Sequence, residues 1–179
     1  TLDRAIAGRS WDGEIAEIVI YNQALSDTDR QLVENYLNQK WFMSQVSTDP
    51  SLIVNLKLDD GTGLLAQDSA GTSHGQLQHM GEDAWVEGRK GPSALSFDGV
   101  DDQVYCGSNV ELAGKSFSVM LWARHERTFE DNFIVGHGEP GIKNKGLHMG
   151  FRSDERFTFD FWHNTLNSDR AYTDTDWHY

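Results

Sequence analysis

GEIAEIVIYNQALSDTDRQLVENYLNQKW, residues 13–41, reads as a closing strand followed by a terminal helix. Glu14 to Tyr21 is rich in β-branched residues and partly alternates. Ile18 and Ile20 share one face, and Glu17, Val19 and Tyr21 share the other. Asn22 to Leu25 turns the chain. Ser26 has the chemistry of an N-cap, and Asp27 and Asp29 follow in the first turn, where the helix dipole favours acids. Leu32, Val33, Tyr36, Leu37 and Trp41 recur at helical spacing and predict one apolar stripe on a short helix near residues 26–41.

Leu52 to Asp102, by contrast, reads as the opening strands of a β-sandwich. Met43 to Ser51, just before it, is mostly polar, contains Pro50 and reads as a linker. Val54, Leu56 and Leu58 then alternate with Asn55 and Lys57 as in a half-buried strand, and Asp60-Gly61 marks a turn. Asp68 to Gly75 (DSAGTSHG) is a loop of small and polar residues. Short strands are predicted at Leu95 to Asp98, Gln103 to Cys106, Phe117 to Arg124, Phe133 to His137, Leu147 to Arg152 and Arg156 to His163. Strands so closely spaced, with no clear helices between them, point to an all-β sandwich rather than to βαβ units.

Composition narrows the function. The net charge of −13, from 28 acidic and 15 basic residues, repels phosphate backbones and argues against nucleic-acid binding. No apolar run reaches the roughly 20 residues of a membrane helix, so membrane insertion by a helix is not expected. Cys106 is the sole cysteine and rules out an intrachain disulfide or a multi-cysteine metal cluster. Six Trp and nine Phe supply much of the expected core.

Three segments carry a family likeness. They are LKLDDGTG with DSAGTSHGQL within Leu56 to Leu77; ALSFDGVDDQVYCG at Ala94 to Gly107 with SFSVMLWAR at Ser116 to Arg124; and the strand and helix at Gly13 to Trp41. Together they resemble the laminin-G-like, concanavalin A-like lectin/glucanase jelly rolls of bacterial extracellular proteins. The likeness covers roughly half the chain. In such modules the third segment comes last, whereas here it comes first. The expected organisation is therefore the C-terminal part of a first module (1–42), a linker (43–51), and the N-terminal part of a second, incomplete module (52–179), with a single permuted or strand-exchanging module as the alternative. The expected fold is an all-β, antiparallel jelly-roll sandwich with one short helix of C-terminal type.

The resemblance implies a non-catalytic adhesion or glycan-binding module at the cell surface or outside the cell. Its partners would be a glycan or an extracellular protein, with self-association a further prospect. A structural repeat that stacks or exchanges strands, and an accessory module of a glycoside hydrolase, are the alternatives. The resemblance also implies a structural calcium ion, for which Asp68, Asp101 and Asp102 are the expected oxygen ligands. The rival role for these aspartates is turn stabilisation through side-chain-to-backbone bonds.

Catalysis finds little support. A glycosidase needs two carboxylates across the scissile bond, yet Asp160 has Thr158 and Trp162 as its same-face neighbours. Asp174 and Asp176 alternate, beside Trp177 near the chain end. The seven histidines form no H-E-x-x-H pattern. Gly114-Lys115-Ser116 lacks the earlier glycine of a phosphate loop, where Asn109 stands instead. Trp122, alternating with Met120, is read as core. Trp162, His163 and Asn164, near a strand end, are the candidate ligand-binding residues.

Overall fold

Strand β1 (Asp12–Tyr21) is the spine of the molecule. In the computed structural model, which describes residues 11–39, 50–89, 91–139 and 141–179, it is hydrogen-bonded along both edges. On one edge its second half pairs with β2 (Leu52–Leu56) and its first half with β6 (Ala94–Asp98). On the other edge it pairs with β8 (Ser118–His125) from Gly13 to Tyr21. All three pairings are antiparallel. The strand at the head of the chain thus lies between strands drawn from residues 52–125.

A bulge explains how one strand serves two cores. The β1–β8 register shifts between Ile15 and Glu17, leaving Ala16 as the extra residue. Ile15, Ile18 and Ile20 therefore all face one core, opposite Ala123, Leu121 and Val119. Val19 and Tyr21 face the other side, where they meet the helix α1 (Asp27–Gln39). Gly13 is fixed by crowding: a Cβ there would sit 1.9 Å from the Arg124 carbonyl oxygen, at φ +154°.

The α1 N-terminus is capped as its sequence predicts. Ser26 Oγ accepts the Asp29 amide at 3.2 Å and donates to Asp29 Oδ2 at 2.6 Å. Val33, Leu37 and Tyr36 pack on Val19, Tyr21, Leu52 and Met120. Leu32 departs from the predicted stripe. It is 61% exposed, because the helix touches the sheet through a narrower face than its apolar spacing suggests. Trp41 and residues 43–49 of the expected linker lie outside the described residues.

The remaining strands build an all-β, antiparallel sandwich. β9 (Asn132–Gly138), β10 (Gly146–Phe151), β11 (Arg156–Phe161) and β12 (Thr165–Ala171) form a four-stranded meander. A smaller sheet joins β3 (Leu65–Ala66), β4 (Gly75–Gln78) and β7 (Gln103–Tyr105), and β5 (Trp85–Val86) flanks β6. One continuous core draws on all three sheets. It contains Ile18, Val54 and Leu95 from the first, Val135, Met149 and Phe151 from the meander, and Leu77 and Val104 from the small sheet.

Candidate functional site

Three places in this framework carry unusual chemistry among the described residues: a groove between the sheets, a polar cluster on the meander's outer face, and an acidic corner.

The groove opens beside β8. It holds about 620 Å³ and is walled by Val119 and Leu121 of β8, Met149 of β10, Phe157 and Phe159 of β11, and Leu166 of β12. These are the core-facing residues of both sheets. Val119, Leu121, Phe157 and Phe159 nevertheless remain partly exposed, and Leu166 is 71% exposed. The backbone along the groove is also open. Among the described residues, the edge of β8 away from β1 is paired at Ala123 alone, through two bonds to His178 of 3.0 and 2.9 Å. Antiparallel strands direct the N–H and C=O of alternate residues to the same side. Val119 and Leu121 therefore aim theirs at the same edge as Ala123.

The opposite face of the meander is polar. His148 of β10, Asp160 of β11 and Thr165 of β12 stand in cross-strand register. Asp160 Oδ2 accepts from Arg152 Nη2 at 2.7 Å and from Thr165 Oγ1 at 2.8 Å. Arg152 Nη2 also lies 3.1 Å from His148 Nε2. The same Nε2 lies 3.4 Å from Asp160 Oδ2, so His148, Arg152 and Asp160 meet at one point. Asp160 is 4% exposed, and its second oxygen, Oδ1, has no hydrogen-bond partner. Thr158, two residues earlier on the same face, is fully buried with its hydroxyl likewise unpartnered.

Trp162, His163 and Asn164 close the β11–β12 hairpin beside this cluster. The Phe161 amide donates to the Asn164 carbonyl at 3.1 Å, and Trp162 and His163 take φ values of +48° and +65°. Two-residue hairpin turns of this hand favour Asn-Gly, because both central residues need positive φ. A side chain in that region costs about 1–2 kcal/mol. The Trp162 ring meets His148 at 5.7 Å, with the planes 67° apart. The structure thus brings the three residues singled out in the sequence onto the same hairpin as Asp160. His148, Arg152 and Thr165 are additions, since isolated polar residues in separate strands carry no spacing signal.

The expected calcium ligands do not converge as a set. Asp68 is buried and committed to the backbone. Its Oδ1 accepts the amides of Asn55 and Ala70 at 2.9 and 3.0 Å, and its Oδ2 accepts that of Ser73 at 3.0 Å. Asp101 and Asp102 instead cluster with Asp98, with ligand atoms within 4.8 Å of one another. Asp102 Oδ2 accepts the Asp98 amide at 2.9 Å, Asp98 Oδ1 accepts that of Val100 at 2.8 Å, and Asp101 Oδ2 lies 3.5 Å from His79 Nδ1. Burial first, then the charges of Asp98 and Asp101, push the Asp102 carboxyl above its ordinary value, although the Asp98 amide pulls it down. Asp98, Asp101 and Asp102 thus form an acidic corner of which Asp68 is not a part.

Trp122 lies outside the core between the sheets. It faces the α1 side of β8, with the Arg89 guanidinium 4.7 Å from its ring and Tyr179 at 5.3 Å. Alternation with Met120 placed both residues on one face correctly, but that is the second, smaller packing face.

No family model matches the chain, and neither a curated protein nor a solved structure matches it significantly.

Proposed function

We propose that the chain is a non-catalytic adhesion module of the cell exterior whose working contact is strand addition between copies. The observation that carries this reading is the edge at Val119 and Leu121, unpaired among the described residues and bordering an apolar groove of about 620 Å³. An added strand satisfies the open backbone groups and covers the partly exposed groove side chains in one step. The apolar area so removed from water contributes about 25 cal/mol per Å². A soluble sandwich ordinarily covers, charges or twists such an edge. Here the groove-facing positions of β8 are Val119, Leu121 and Ala123.

Sedimentation velocity over a concentration series tests the reading. The wild-type chain forms dimers and larger species as concentration rises. Leu121→Asp places a charge in the groove and stays monomeric. A wild-type chain that is monomeric throughout, or a variant that associates as well as wild type, refutes strand addition.

A further inference from the structure

We infer, resting on the strand-addition reading, that the segment Asp174–Tyr179 is a brake on that contact. A clasp between Asp174 and His178 holds the segment across Ala123 and keeps that part of the β8 edge from an incoming copy.

The segment follows β12 and crosses to β8 at one end of the groove, where Tyr172 and His178 form part of the wall. Its attachments fall on four consecutive residues of β8. His125 Nε2 lies 2.8 Å from the Asp174 carbonyl oxygen; a carbonyl can only accept, so this nitrogen carries the proton. His178 exchanges two backbone bonds with Ala123, of 3.0 and 2.9 Å. Trp177 faces the Arg124 guanidinium at 5.7 Å, and Tyr179 meets Trp122 at 5.3 Å. The β8 side of this joint is firmly packed. His125 is buried, stacked on Trp11 at 6.2 Å and set against Phe151 at 4.7 Å.

The segment's own shape depends on one carboxylate. Asp174 Oδ1 accepts the Asp176 amide at 3.0 Å and the His178 Nε2 proton at 2.7 Å. This closure fixes the spacing between the Asp174 carbonyl and the His178 backbone, so the two reach His125 and Ala123 together. Thr173, Asp174, Thr175 and Asp176 are all exposed, and the clasp rather than apolar burial shapes this stretch. Without the carboxylate the two anchors act separately and the segment frays.

Holding Ala123 matters because the edge is short. Val119, Leu121 and Ala123 are the β8 residues that direct backbone groups to the groove side, and the segment already takes the third. An incoming strand is left with Val119 and Leu121. Releasing the segment adds one more position, with its two backbone bonds, and opens the end of the groove that His178 walls.

The test is Asp174→Ala in the full chain, with two readouts. Hydrogen exchange in dilute solution shows the Ala123 and His178 amides protected in the wild type and fast in the variant. The Met120 and Trp122 amides, which face β1, stay protected in both and show that the sandwich is intact. Sedimentation velocity shows the variant associating about tenfold more tightly, the effect of roughly two added backbone bonds. Asp174→Asn keeps an oxygen for both donors and matches the wild type in both measurements. Ala123 and His178 amides that stay protected in Asp174→Ala overturn the inference. So does association that is unchanged or weaker once those amides are released; the wild type's own association then leaves strand addition standing. Wild type and variant that both remain monomeric, with the amides released, overturn strand addition and the brake together.

Discussion

Asp102 is held in a position where ionising is costly. It is 7% exposed and lies against Asp98 and Asp101 at the β6–β7 turn. Its folded pKa is raised above 3.8, chiefly by burial. A raised acid binds its proton more tightly in the folded state, so its contribution is full below the unfolded value and is lost as pH rises through the folded one. Asp102→Asn keeps an oxygen acceptor for the Asp98 amide and removes the charge. Urea unfolding from pH 4 to pH 7 therefore shows the variant gaining on wild type as pH rises; a constant gap contradicts the assignment. Cys106 makes a simpler case. Burial pushes its thiol up to about 12, so a thiol reagent at pH 8 labels nothing in the folded chain and one equivalent after denaturation. At this scale the sequence was partly readable. Asp68 sits in its Gly/Ser loop as a turn-stabilising residue, but its three backbone amides and its separation from Asp101 and Asp102 depend on strand pairings far along the chain.

Among the elements, α1 has the plainest energetics. Leu37 is 2% exposed against the sheet, while Leu32 on the same helix is 61% exposed. Leu37→Ala should cost about 2–4 kcal/mol through the cavity it leaves. Ser26→Ala should cost about 1 kcal/mol through the lost cap, and Leu32→Ala less than about 0.5 kcal/mol. Denaturant midpoints rank the three, and equal losses for Leu37 and Leu32 would show that the helix packs differently. The cap and the strands β1, β2 and β8–β11 were legible because alternation and capping are local. β12 was not. Its sequence, TLNSDRA, is polar because it is an edge strand whose side chains are mostly exposed, with Leu166 alone reaching the groove as a large apolar group. The bulge at Ala16 was equally hidden, because only the pairing with β8 reveals that one residue is extra. Two-residue strands such as β3 and β5 are too short for any period.

For the whole molecule, the balance lies between an open groove and a net charge of −13. The groove draws copies together, while the charge drives them apart over a Debye length of about 10 Å at 0.1 M salt. Added salt screens the repulsion and leaves apolar burial intact, so raising sodium chloride should strengthen association. Weaker association at high salt would mean that ion pairs, not the groove, hold the copies. The all-β class was readable from strand spacing, as was the strand-and-helix character of residues 13–39. The insertion of β1 between β8 and the β2–β6 edge was not, because linear order does not disclose which strands share an edge.

Hydrogen exchange along β8, read residue by residue at low and high protein concentration, tests strand addition most directly. Met120 and Trp122 direct their amides to β1 and should be protected at both concentrations. Val119 and Leu121 direct theirs to the open edge; they should exchange rapidly in dilute solution and slow down as copies associate. If Val119 and Leu121 exchange equally fast while the chain is assembled, the copies meet elsewhere and the proposed contact is wrong.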